Sequence, residues 1–291
     1  MKQFESPEKS TLRKLGYNLS PSEFSETKEL LKKYEEEGSS LLDFEDLYGS
    51  GVVNEDNQEV KKLESRFEYK NSFEEKEQKF YATILEMIVM EFSNAWLPGY
   101  LSKASQFDDF KNRTDLFLEL GATNGSVIRI AIDVTSSPER FADKLDTDNK
   151  MLEKNEFQKV KYFKSELDDT KGSVELPHFV VGTDRKQIVE MARLYLALNK
   201  STGEVHKQKM LELENSPFGV RLFMMLALED KIFIDILKKH QPESEKLAVF
   251  EELRKILGNY EKEKTLELEK ADEGRDNVYN ALIRVFSSLQ V

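Results

Sequence analysis

Residues 114–135 read TDLFLELGATNGSVIRIAIDVT. Two apolar runs, 114–120 and 127–135, flank GATNG at 121–125. Asparagine and glycine between two such runs predict a β-hairpin. β-Branched and large apolar residues fill both runs, as strands require. Each run carries a carboxylate where burial is expected. Asp115 opens the first, and Asp133 follows Ile130-Ala131-Ile132 near the end of the second. A buried carboxylate needs a partner, a metal or a proton. The start of one antiparallel strand and the end of the next lie at one sheet end, so the two acids can converge. Simpler roles stay open: Asp115 can cap a turn, and Asp133 can bond Ser136 or Ser137.

Outward from this hairpin, residues 72–97 predict a buried helix. Ser72 and Glu75 form a capping-box pattern, Phe80, Ile84, Met87, Ile88 and Phe92 recur at helical spacing, and Pro98-Gly99 stops the run. Glu86 and Glu91 lie among these apolar residues, where either could join the acids or pair with a lysine. Residues 100–107 predict a strand and 108–112 a turn. Downstream, Ser136-Ser137-Pro138 is an N-cap before a charged helix at 138–157. Strands are expected at 158–165 and 177–183, and Asp184 caps a helix at 185–200. Beyond 203 the pattern is helical at about 204–214, 217–240, 243–258 and 259–289. The segment 220–237 is apolar on nearly every face. Residues 1–70 are polar and read as an arm with one or two short helices, one of them at 25–37.

The fold class is therefore α+β. A polar arm (1–70) precedes a core (71–200) whose mixed sheet of about five strands is flanked by helices, and an all-helical extension (201–291) follows.

Composition narrows the function. The 291 residues hold no cysteine, which excludes a disulfide scaffold, a thiol nucleophile and cysteine-ligated metal. His178, His206 and His240 lie far apart, so a zinc hydrolase is not expected. A net charge of −12 argues against a protein that coats nucleic acid, but not against an acidic body with a basic groove. The first residues hold no apolar leader, and no run of about 18 apolar residues occurs. A cytoplasmic protein with no membrane span is expected. There is no glycine-rich nucleotide loop and no nucleophile elbow.

The order of elements and acids resembles the PD-(D/E)XK nuclease-like superfamily, over roughly residues 75–200. More narrowly, FDDFKNRTDLFLEL (107–120), IAIDVTSS (130–137), VKYFKS (160–165) and PHFVVGTD (177–184) are similar to conserved proteins of small-genome, host-associated bacteria. The resemblance implies a core of helix, three antiparallel strands, helix and a further strand. It implies Mg²⁺ or Mn²⁺ held by Asp115, Asp133 and Glu91, with Glu86 as second choice for the helical acid, and hydrolysis of DNA or RNA phosphodiesters. The superfamily's lysine, two residues after the second acid, is replaced by Thr135. A displaced lysine is then expected, with Lys161 first and Lys159 and Lys144 as the other candidates. Failing that, the chain would be an inactive fold member serving as a binding or assembly module. A protein partner or a second copy could dock on the helical extension.

Overall fold

The computed structural model describes residues 18–122, 125–264 and 276–289. The first seventeen residues of the arm, Thr123 and Asn124 in the expected hairpin turn, and 265–275 of the last expected helix lie outside them. The arm is more helical than its sequence suggests. Ser20 closes a capping box with Glu23 at the start of α1 (Pro21–Glu35). A 3-10 turn (Leu41–Phe44), a short α2 (Glu45–Tyr48) and the 21-residue α3 (Ser50–Lys70) follow. α3 buries only Val53 and Val60, so its apolar stripe is too thin to show in the sequence.

Helix α4 (Phe73–Trp96) starts at the expected box, Ser72 donating its N–H to Glu75 at 2.7 Å. It buries Ile84, Leu85, Ile88, Val89 and Phe92. After it come β1 (Tyr100–Lys103), α5 (Gln106–Asn112), β2 (Leu116–Gly121) and β3 (Val127–Thr135). α5 replaces the turn expected at 108–112. Ser105 caps it, and the buried Asp108 carboxylate accepts the N–H groups of Lys161 and Tyr162 at 2.8 and 3.0 Å. Helix α6 (Pro138–Glu153) is capped by Ser137. Then come β4 (Gln158–Lys164), β5 (Lys171–Leu176) and β6 (His178–Gly182). The elements described after β6 are helices: α7 (Arg185–Asn199), α8 (Gly203–Glu214), α9 (Pro217–His240), α10 (Lys246–Lys264) and α11 (Asn277–Leu289).

The main sheet has four strands in the order β1-β2-β3-β6. β1, β2 and β3 are antiparallel neighbours, with Leu116 opposite Ile132. β6 runs parallel to β3, with Asp133 opposite Val180. The five-strand expectation is corrected here, because β4 pairs with β5 as a separate hairpin. That hairpin lies on a face of the main sheet: Phe163 and Leu176 pack with Phe117 and Ala131, and the Phe117 and Phe163 rings meet edge-on at 5.0 Å. The free edge of β6 is closed by α9 instead, where Glu229 accepts the Val180 N–H at 2.9 Å.

The other sheet face belongs to the largest core. Leu116, Leu118, Ile130, Ile132 and Val134 pack there with α4, and the cluster continues through α7, α9, α10 and α11 and takes in Leu31 and Tyr34 of α1. Each fully buried large side chain contributes about 1.5–3 kcal/mol, so the sheet is held rigidly between its layers. Among the described residues, no helix is long and apolar enough to cross a membrane.

Gly182, at the end of β6, sits against the backbone of β3, and a Cβ there would overlap the Thr135 carbonyl. Gly182→Ala must therefore push β6 away from β3. The expected result is a loss of about 1–3 kcal/mol or more, read as a lower urea midpoint.

Candidate functional site

β2 begins one residue after Asp115, whose backbone N–H still donates to Ile132 at 2.9 Å. The next N–H of β3 on that side, Val134, has no strand carbonyl opposite it. The Asp115 carboxylate accepts it at 2.7 Å. Asp115 is thereby locked beside β3, where Asp133 projects two residues before the strand ends. Asp133 Oδ1 accepts Lys144 Nζ of α6 at 2.5 Å. Its Oδ2 is buried without a hydrogen-bond partner.

Two further acids close around a lysine of α4. Lys79 Nζ lies 3.1 Å from Asp109, 3.8 Å from Asp115 and 3.9 Å from Glu86. Glu86 is two helical turns beyond Lys79 and so on the same face. Burial works against the Lys79 charge, but Asp109, Glu86 and Asp115 outweigh it and hold the ammonium well above its ordinary range. Burial pushes the Asp109 carboxyl up to about 6, with Lys79 opposing the rise and Asp115 adding to it. Burial also raises Asp115, against Lys79 and with the charge of Asp133. Glu86 is driven well above the carboxylate range by burial and then by Asp115. More negative charge is gathered here than the two lysines neutralise, and protons make up part of the difference.

Asp115 and Asp133 face a cavity of about 180 Å³. Its rim carries Lys79, Arg113, Arg140 and Lys144, with Asp109 beside Lys79 and Ser136 just before α6. An acidic floor under a basic rim suits an anion that arrives with a cation.

Asp115 and Asp133 are thus brought together, and the other two expected site residues lie elsewhere. Glu91 is exposed on α4. Five residues turn a helix by about 140° beyond a full circle, so Glu91 and Glu86 cannot share a face. Glu86 is the one beside Asp115. Lys161, on β4, pairs with Asp56 and lies 5.3–5.5 Å from the rings of Phe107, Tyr162 and Tyr48. Lys159 is exposed near Glu175. Lys144 is the lysine at Asp133. Lys79, Arg113 and Arg140 carry no site role in the sequence reading, and Asp109, expected as a turn residue, lies on α5. Only the Lys79–Glu86 spacing carried a signal that could have been found.

Among the described residues, no group of three or more Asp, Glu or His side chains is placed to hold a metal ion. Two carboxylates do face the cavity, one with an orphaned oxygen. One or two carboxylates, with waters and a phosphate, is the usual protein share of a Mg²⁺ site. The donor set therefore fits Mg²⁺ or Mn²⁺ through Asp115 and Asp133.

The turn that carries Arg113 and leads to Asp115 is itself clamped. Arg113 has left-handed backbone angles (φ 53°, ψ 38°). Its guanidinium donates to Asp148 at 2.8 Å, and its carbonyl accepts from His178 Nε2 at 2.8 Å. His178 Nδ1 meets the other Asp148 oxygen at 2.8 Å. Both ring nitrogens face acceptors, so the buried imidazole carries both protons. Burial lowers its pKa, but Asp148 outweighs burial and the net shift is upward.

Compared with protein-family models, curated proteins and solved structures, the chain matches none of them.

The His178 clamp has a measurable consequence. A raised folded-state pKa gives stability that is full below the ordinary value of 6.5 and is lost as pH rises through the folded value. The stability gap between wild type and His178→Gln is expected to shrink above about pH 6.5 in urea unfolding. Nitrogen chemical shifts of His178 at neutral pH should report two N–H groups.

Proposed function

We propose that the chain is a metal-dependent phosphodiesterase with a PD-(D/E)XK-like core, acting on DNA or RNA. One observation carries this reading: Asp115 and Asp133 lie side by side at a sheet end, beneath a rim of lysine and arginine, with Lys144 on Asp133. The element order supports it. Helix α4, three antiparallel strands, helix α6 and a parallel β6 follow the order that the family resemblance implies, with α5 inserted between β1 and β2 and the β4–β5 hairpin inserted before β6.

In this reading Asp115 and Asp133 hold Mg²⁺ or Mn²⁺, and Glu86 takes the place of the helical acid. The bound ion would supply a Lewis acid and an acidified water. Lys144 replaces the lysine missing at Thr135 and steadies negative charge beside Asp133. Arg113 and Arg140 take phosphate oxygens, which fork-shaped guanidinium groups suit. The basic rim gives an acidic chain a local place for a polyanion.

One feature favours a second reading, an inactive nuclease fold used as a binding or assembly module. The Lys79 ammonium already stands among Asp109, Asp115 and Glu86.

Calorimetry with Mg²⁺ and Mn²⁺, run beside plasmid nicking, separates the two. The phosphodiesterase reading expects metal binding that disappears in Asp133→Ala together with nicking. Lys144→Met should still bind metal while nicking falls about 10²–10⁴-fold. Metal binding that persists in Asp115→Ala with Asp133→Ala would overturn the assignment of these acids. No binding by wild type would leave the second reading.

A further inference from the structure

A cavity larger than the one at the sheet end lies away from the cationic rim, on the other side of Lys79. It measures about 600 Å³ and sits between α1, α3 and α4. Its apolar lining comes from Phe24, Leu31, Phe67, Phe73, Phe80 and Phe110. The Phe24 and Phe80 rings meet at a tilt, 4.5 Å apart, and make one wall. Phe24 and Phe73 are 44% and 56% exposed, so this aromatic surface is open to solvent rather than packed away. The volume is that of a small-molecule site.

Five residues of its wall, Glu35, Glu64, Lys79, Thr83 and Phe110, also line a second chamber of about 200 Å³. Deeper in, that chamber is lined by Glu86, Asp109 and Asp115. Its amines are already engaged: Lys79 faces Asp109, and Lys103 donates to the Tyr34 carbonyl at 2.7 Å. No salt bridge reaches Glu35 or Glu64 among the described residues. Burial, and then the charge of Glu35, raise the Glu64 carboxyl. At the inner end Glu86 is 4% exposed, and its Oε1 has no hydrogen-bond partner. An aromatic chamber thus narrows past Glu35 and Glu64, which no salt bridge reaches among the described residues, toward Glu86, which Lys79 approaches only to 3.9 Å.

We propose that this double chamber binds a small organic amine, an ammonium group carried on an aromatic or alkyl body. The body packs among the phenylalanine rings, which also attract a cation through their faces. The ammonium sits where the chambers join, between Glu35 and Glu64 and facing Glu86. An anionic or neutral ligand of the same shape gains the apolar contact but leaves Glu35 and Glu64 without a counter-ion. The inference does not rest on the phosphodiesterase reading.

The test uses the full chain in chelator-treated, divalent-free buffer. Phenethylamine, phenethyl alcohol and 3-phenylpropionate are titrated by calorimetry as cationic, neutral and anionic probes of similar shape. Phenethylamine is expected to bind about tenfold more tightly than the alcohol, and 3-phenylpropionate most weakly. Glu35→Gln with Glu64→Gln should bring the amine down to the level of the alcohol. Phe80→Ala should weaken amine and alcohol alike. Glu86→Gln should also weaken the amine, and the changes at the exposed Glu35 and half-buried Glu64 keep the test open if that buried variant does not fold. Equal affinity for amine and alcohol overturns the proposal. So does no binding of the amine, or amine binding unchanged when Glu35 and Glu64 are neutralised.

Discussion

The hydrogen bond from the Val134 N–H to the Asp115 carboxylate fixes the geometry of the candidate site. A β-strand that stops leaves its neighbour with an unpaired N–H, and a buried one costs about 1–3 kcal/mol. Asp115 removes that cost at the point where β2 begins. Doing so draws a carboxylate out of the strand pattern and fixes it beside Asp133. Lys144, Lys79, Asp109 and Glu86 are then arranged around two acids that the sheet itself has placed. The His178–Asp148 clamp on Arg113 holds the approach to Asp115 from the other side.

Charge is distributed unevenly around that point. Across the chain acids outnumber bases, giving −12. At the sheet end four cationic side chains ring the cavity that Asp115 and Asp133 floor. Behind Lys79 the balance reverses, and Glu35, Glu64 and Glu86 dominate. Lys79 stands at the partition between the chamber floored by Asp115 and Asp133 and the one lined by Glu35, Glu64 and Glu86. Its own ammonium is held charged by the acids on both sides.

Much of the fold was legible because its signals are local. The Ser72–Glu75 box, the 114–135 hairpin, the Ser137-Pro138 cap and the all-round apolar stretch of α9 each declare an element within a few residues. The arm was not legible, since α3 buries two valines in twenty-one residues. Nor was the separation of β4 and β5 from the main sheet, which depends on Phe163 meeting Phe117 across a face. Within the site, the strand pattern places Asp115 and Asp133, but it cannot choose between Glu86 and Glu91. That choice follows from which side of α4 meets the sheet. Likewise the sequence reading puts Lys161 ahead of Lys144, and the structure reverses that order. The tethering of β4 to α5 through Asp108, and of Lys161 to Asp56, takes Lys161 away.

The central claim, that a divalent ion is held by Asp115 and Asp133, is tested most directly by paramagnetic broadening of backbone amide signals with Mn²⁺. The account predicts that Val134 and Thr135 broaden first, followed by Asp115 and Lys144, while Glu91 and Lys161 are spared. Broadening spread over the exposed acids of the surface, with the signals of Val134 and Thr135 intact, would contradict it.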